Sequence, residues 1–287
     1  MSMILTGCAP VSEGANLDVS TFAFAHVHGL GVDAASGVAF AATHDGVFIL
    51  PSLGSPTVDV AQLGGPVSGR VQDFMGFTVH GSQIFASGHP GPEDLATGAP
   101  QNLGFITSLD KAATWETLSL GGEADFHDLA AMTDPGGNIR IYGYHAGTVL
   151  FSPDGGISWV SGAKLALRDL AADPSRPGTV YATTADGLAV SNDDGGSFSL
   201  IPDAPALYLI DAWQDADGVG LVGIGTDGQV WAKIANGEWR ATTGRVTGDV
   251  EAMVYGSLPK PALLVADRRG IVVSDDFGVS WRILVSK

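Results

Sequence analysis

The sequence predicts an all-β chain folded as a six-bladed β-propeller. Three observations carry this. The composition is rich in glycine and poor in charge, a strand pattern recurs at a fixed interval, and one turn motif appears four times. Of 287 residues, 40 are glycine, 45% are hydrophobic and only 16% are charged. That profile suits many short strands joined by tight turns better than long helices.

The strand pattern comes first in the argument. An apolar strand, a turn, a second strand ending near Gly, a third strand, a polar turn and a fourth strand recur about every 40–50 residues, the period of propeller blades. First strands start at His28-Gly-Leu-Gly-Val, Met75-Gly-Phe-Thr-Val, His127-Asp-Leu-Ala-Ala, Arg168-Asp-Leu-Ala-Ala, Ile210-Asp-Ala-Trp and Val250-Glu-Ala-Met. Second strands end at Thr43-His44-Asp-Gly, Gly88-His89-Pro, Tyr144-His145-Ala-Gly, Thr184-Ala-Asp-Gly, Thr226-Asp-Gly and Arg268-Arg-Gly. Six starts and six ends set the blade count at six rather than seven. A closed ring also removes exposed strand edges, which an open solenoid of the same repeats would leave.

The turn motif is Ser-x-Asp-x-Gly-x-Ser/Thr-aromatic. It occurs at Ser152–Trp159, Ser191–Phe198 and Ser274–Trp281, and at Ser108–Trp115 with Ala112 in place of Gly. These segments resemble the Asp-boxes (BNR repeats) of sialidase-type, sortilin-like and photosystem-assembly propellers. Their chemistry is structural. The carboxylate accepts backbone N–H groups of a tight turn, Gly takes a positive φ, and the aromatic ring covers the turn. Ala112 is expected to carry strain if its turn keeps the glycine conformation.

The formal charge of −17 and isoelectric point near 4.5 exclude nucleic acid and anionic membrane surfaces as partners, because both require a basic patch. No run approaches the ~20 apolar residues of a membrane-spanning helix. Leu5-Thr6-Gly7-Cys8 resembles the lipobox of bacterial lipoproteins, with Cys8, the single cysteine, as the lipidated residue. Met1 to Ile4 are too few for a full signal peptide. Residues 1–21 are therefore expected to be a truncated lipoprotein signal and tether, with the propeller over 22–287. The chain is then extracytoplasmic, periplasmic or at the cell surface, and meets the membrane only through its lipid anchor.

Histidines mark the functional face. In a propeller, first-strand starts and second-strand ends meet around one mouth of the central channel. His28, Met75 and His127 occupy first-strand starts of the first three blades, and His44, His89 and His145 occupy the second-strand ends of the same blades. His26 projects from the same strand face as His28, roughly 7 Å away. Six of seven histidines thus converge on one half of one face, with His80 at the opposite end. Imidazole suits Zn, Cu, Fe and Ni, and a thioether beside imidazoles points to copper. The expected ligand set is His26, His28, His44, Met75, His89, His127 and His145, for copper with zinc as the alternative. Asp73 and Asp125, two residues ahead of Met75 and His127, are expected to orient the rings or to bind the ion directly, with Tyr144 in support of the rings. The other half of the face offers Arg168, Arg268, Asp128, Asp169, Asp211 and Glu251, which either bind an anion or pair among themselves.

Taken together, the runs His26–Asp33, Asp73–Val79, Ala86–Pro90, Ala124–His127 and Ile141–Tyr144 resemble a family of bacterial extracytoplasmic Asp-box propeller lipoproteins, commonly labelled glycosyl hydrolases or exo-sialidases. The label implies three arginines on a substrate carboxylate, a Tyr nucleophile with a Glu partner, and an Asp acid/base. This chain has no Arg-Ile-Pro run, its first arginine is Arg70, and Arg168 and Arg268 supply two of the three. Two function classes therefore stand side by side. One is a metal-binding protein acting in sequestration, delivery or assembly with an extracytoplasmic partner. The other is an enzyme, either a metal-dependent oxidoreductase or a sialidase-like hydrolase.

Overall fold

The structure, a computed structural model, describes residues 26–235, 237–256 and 261–287. The signal and tether expected over residues 1–21, with Cys8, lie outside the described residues. Within them the chain forms six sheets in a ring, antiparallel except for one added parallel strand.

Blade one holds β1 (Val27–Val32), β2 (Ala39–Thr43) and β3 (Gly46–Ile49), and a short β4 (Val58–Asp59) follows. Blade two holds β5 (Asp73–His80), β6 (Gln83–His89), β7 (Phe105–Ser108) and β8 (Glu116–Ser119). Blade three holds β9 (Asp128–Thr133), β10 (Ile139–His145), β11 (Thr148–Ser152) and β12 (Val160–Lys164). Blade four holds β13 (Leu167–Ala172), β14 (Val180–Thr184), β15 (Gly187–Ser191) and β16 (Ser199–Leu200). Blade five holds β17 (Leu207–Asp215), β18 (Gly218–Gly225), β19 (Gln229–Lys233) and β20 (Arg240–Arg245). Blade six holds β21 (Ala252–Gly256), β22 (Ala262–Asp267), β23 (Gly270–Ser274) and β24 (Arg282–Ser286).

Six hydrophobic clusters fill the six gaps between neighbouring blades. Leu30 and Ala41 of blade one meet Leu264 and Ala266 of blade six, and Phe85 and Phe105 of blade two meet Phe126 and Ile141 of blade three. Second and third strands face a neighbour on both sides, so they read as continuous apolar runs: all six residues of β22 are buried. Removal of one such large side chain, Phe126→Ala for instance, costs about 3–5 kcal/mol. First strands approach each other closely at the channel wall. A Cβ on Gly76 would lie 2.6 Å from the carbonyl oxygen of Phe126, which is why glycine follows Met75.

The ring is closed by a latch that no sequence pattern announces. Blade one has three strands, and β4 leaves it to pair in parallel with β24 of blade six, Val285 opposite Val58 and Ser286 opposite Asp59. Thr57 donates to the Ile283 carbonyl at 2.6 Å, and Arg282 donates to the carbonyls of Leu53 and Ser55. Blade six thus gains a fifth strand from the opposite end of the described chain.

The four Ser-x-Asp turns share one hydrogen-bond pattern. In the second, Asp154 accepts from the Ser158 N–H at 2.9 Å and from the Ser158 hydroxyl at 2.7 Å, while the Ser152 hydroxyl accepts from the Gly156 N–H at 2.8 Å. These bonds hold the carboxyl groups of Asp110, Asp154, Asp193 and Asp276 below the usual aspartate range. Trp159 packs on Phe105 and Phe126. Ala112 keeps the glycine conformation with φ of 67° while buried, so the expected strain is present.

Candidate metal centre

Every first strand opens with an irregular residue at the channel mouth. Register shifts pass over His28, Met75, Arg168 and Tyr208. His127 and Glu251 hold the same place, each donating its N–H to the second strand just ahead of the regular ladder, to Tyr144 and Ala266. The six equivalent positions are therefore His28, Met75, His127, Arg168, Tyr208 and Glu251. This corrects the sequence alignment at two blades, where Ile210 and Val250 had been placed. A bulge of this kind re-aims a side chain at the rim of a barrel or ring, and here it turns one residue per blade toward the channel.

His26, His28 and His44 converge. One ring nitrogen from each lies within 4.8 Å of the others. The His28 Nε2 sits 3.2 Å from the His44 Nε2, and the His26 and His28 ring centres are 4.6 Å apart. A tetrahedral ion with bonds of about 2.0–2.1 Å to nitrogen separates its donors by about 3.3 Å, so the His28–His44 pair stands at ligand spacing, with a His26 nitrogen within 4.8 Å of both. Burial first, then the nearby His26, His44 and Arg168, lowers the His28 pKa to about 3, leaving its imidazole neutral with a lone pair to donate. The His26 Nδ1 is buried with no hydrogen-bond partner among the described residues. The Asp73 carboxylate, contributed by blade two, lies 2.7 Å from the His44 Nδ1 and 4.0 Å from the His28 Nε2, and fixes the orientation of His44 as outer carboxylates do at metal sites.

A second group lies one blade on. The Asp125 carboxylate accepts from the His127 Nε2 at 2.9 Å and stands 3.5 Å from the His89 Nε2. That hydrogen bond raises the His127 pKa above the usual histidine value. The other Asp125 oxygen is buried without a hydrogen-bond partner among the described residues. The His89 Nδ1 lies 3.1 Å from the carbonyl of Gln101, in the long excursion that also carries α1 (Pro92–Ala96).

Two expectations need correction. His145 is not the counterpart of His44 and His89. Its register partner Thr148 matches the Thr43–Gly46 and Thr184–Gly187 pairs that end the other second strands, so it sits one residue early. The residue at the His44 position in blade three is Ala146. The ring of His145 turns to the backbone of Asp125, its Nδ1 2.8 Å from that carbonyl, and edges onto Phe126. Tyr144 packs against the Ala130, Tyr142 and Leu170 cluster and has no hydrogen bond to a histidine among the described residues. His80 sits at the far end of β5 beside Thr133, as expected.

The remaining half of the mouth is built differently. Asp128, Asp169, Asp211 and Glu251 do not pair with one another. Each accepts a backbone N–H from the next blade: Leu170, then Ile210 at 2.6 Å, Tyr255 at 2.7 Å and Val27 at 2.8 Å. Burial raises the carboxyl pKa of Asp128 to about 7 and of Asp211 to about 6, and lifts that of Asp169 as well. Arg168 donates to the Glu251 carbonyl at 2.9 Å and lies over the Tyr208 ring. Sequence reasoning missed this seam because its carboxylates are read as a row of charges, whereas their partners are main-chain groups. The channel below encloses about 430 Å³ and is lined by His28, His127, Arg168 and the seam carboxylates.

No family model matches the sequence, and no curated protein matches it. Among solved structures the chain resembles SapL1 lectin, solved with alpha methyl fucoside, at 14% identity and a TM-score of 0.56, covering 92% of this chain and 97% of the lectin. It also resembles an ancestral GH74 enzyme at 16% identity and a TM-score of 0.51, covering 90% of this chain but 38% of the enzyme. These likenesses show the β-propeller fold.

Proposed function

We propose that this propeller is a metal-binding protein whose principal ligands are His26, His28 and His44, with copper ahead of zinc as the ion. The observation that carries the reading is the spacing of the three ring nitrogens together with the unpartnered, buried Nδ1 of His26. Three imidazoles, one oriented by Asp73, offer a borderline-soft ion three bonds and leave further positions free. Met75 at the adjacent bulge favours copper, since thioethers select Cu(I). The lipobox resemblance at Cys8 supports an anchored, extracytoplasmic setting, and with it a role in metal sequestration, delivery or assembly with a partner protein.

The test is elemental analysis of untagged protein loaded in parallel with Cu(I), Cu(II) and Zn(II) and then desalted. Stoichiometric copper is expected in the wild type, with its loss in His28→Ala. If no metal survives desalting from either protein, the reading fails, and glycan screening becomes the next experiment.

A further inference from the structure

We propose that the channel mouth holds two metal sites rather than one, a single blade step apart, and that in the second Met75 takes the place His28 has in the first. This rests on the metal-binding reading above and extends it.

The argument is positional. Beside His26, the first site draws on three structural positions. His28 stands at the bulge of blade one, His44 at the turn after its second strand, and Asp73 two residues ahead of the next blade's bulge. One step around the ring, the same positions hold Met75, His89 and Asp125. The cross-blade contact repeats with them, since His44 meets Asp73 at 2.7 Å and His89 meets Asp125 at 3.5 Å. The bulge of blade three then adds His127, at 2.9 Å from Asp125. A ring nitrogen of each histidine thus lies within 3.5 Å of one Asp125 oxygen, at 2.9 and 3.5 Å.

No other step pairs a histidine with a carboxylate at these two positions. They hold Ala146 and Ala166, Ala185 and Ala206, Thr226 and Asp249, then Arg268 and His26. A rim that needed only polarity has no reason to confine the pair to two adjacent steps. The second, independent observation is that Asp125 Oδ1, the partner of the Oδ2 that meets both rings, is buried with no hydrogen-bond partner among the described residues, so an ion held by both oxygens would satisfy it. Such an atom costs stability unless something binds it, and a cation does so.

The donor sets differ in softness. The first site offers imidazoles and a carboxylate, which accept Zn(II) or either copper state. The second adds a thioether, which selects Cu(I).

Anaerobic Cu(I) titration against a chromophoric chelator, with elemental analysis of the desalted protein, tests this. The wild type is expected to hold two Cu(I) per chain, and His26→Ala/His44→Ala and His89→Ala/His127→Ala are each expected to hold one. Met75→Leu is expected to remove the sulfur contribution from the copper X-ray absorption spectrum. A wild type with one ion, lost only in His26→Ala/His44→Ala, overturns the second site and leaves the first standing. One ion lost in both double variants overturns the two-site arrangement in favour of a shared one. Two ions with an unchanged sulfur signal in Met75→Leu overturn the assignment of Met75. No copper in the wild type overturns the underlying functional reading itself. Thermal melts of each variant separate loss of ligands from loss of fold.

Discussion

At the innermost bulge, blades one to three carry His28, Met75 and His127, while blades four to six carry Arg168, Tyr208 and Glu251. The backbone is the same in both halves, and the use made of it is opposite. In the second half, and at its borders, carboxylates turn sideways and bind the N–H groups of the next blade, so their chemistry is spent inside the fold. Among the described residues of the first half, those stitches are absent from the blade one to two step, and the blade two to three step uses the Ser87 hydroxyl, which accepts from the Phe126 N–H at 2.9 Å. Imidazoles are left at the channel mouth there, among them His28, which burial keeps neutral. A ring fold can therefore separate stability and ligand binding by angle rather than by depth.

That contrast can be broken from either side. The largest effect is expected from His28→Ala, which removes a direct ligand and should weaken metal binding by more than the roughly 10–100-fold typical of losing an outer partner. Its melting temperature should move little. Asp73→Asn falls within that range, about 10–100-fold, because His44 loses the carboxylate that orients it; a chelator competition reads both variants. On the other half, Asp169→Ala leaves the buried Ile210 N–H unpaired and is expected to cost about 1–3 kcal/mol in urea denaturation, with metal stoichiometry unchanged. If Asp169→Ala abolished metal binding while His28→Ala unfolded the protein, the division of labour would be reversed.

The pH dependence sharpens the same point. Asp128 and Asp211 keep their protons to about pH 7 and 6 in the fold, against an ordinary value of 3.8. The folded state thus binds protons that the unfolded chain has released, so this contribution is complete below about pH 4 and is lost as pH rises through 6 and 7. His28, neutral in the fold down to about pH 3, acts in the opposite sense up to about pH 6.5, so the test is the difference between proteins. Urea midpoints measured from pH 5 to 8 are expected to fall less, or rise more, in Asp211→Asn, which has no proton to lose, than in the wild type. The Ser-x-Asp aspartates act in the opposite sense, but at pH values below their ordinary range, outside that window. The smallest effect is expected from Ala112→Gly. Relief of the left-handed backbone at φ of 67°, less the entropy glycine costs, should raise stability by under about 1 kcal/mol.

Much of this was legible in the chain. Strand periodicity gave six blades, and the clustering of histidines on one half of one face followed from the spacing alone. What escaped was set by single-residue register. His145 looks equivalent to His44 in sequence, yet one residue of offset turns it to the other face of its strand. Ile210-Asp211 imitates Arg168-Asp169 in type, but the longer hairpin of β17 and β18 moves the bulge to Tyr208. Asp73 and Asp125 were recognisable as partners of imidazoles. That each reaches back to the preceding blade, and so divides the histidines into two groups, depends on contacts between neighbouring blades that no local pattern encodes. The β4 latch is two residues long, too short for any periodicity to show.

The most direct measurement is an anomalous difference map, collected at the copper edge from crystals of untagged protein grown with copper. A peak within bonding distance of His26, His28 and His44 is expected, on the half of the mouth away from Asp169 and Asp211. A map with no peak at these three rings, from protein shown to contain copper, would contradict the account.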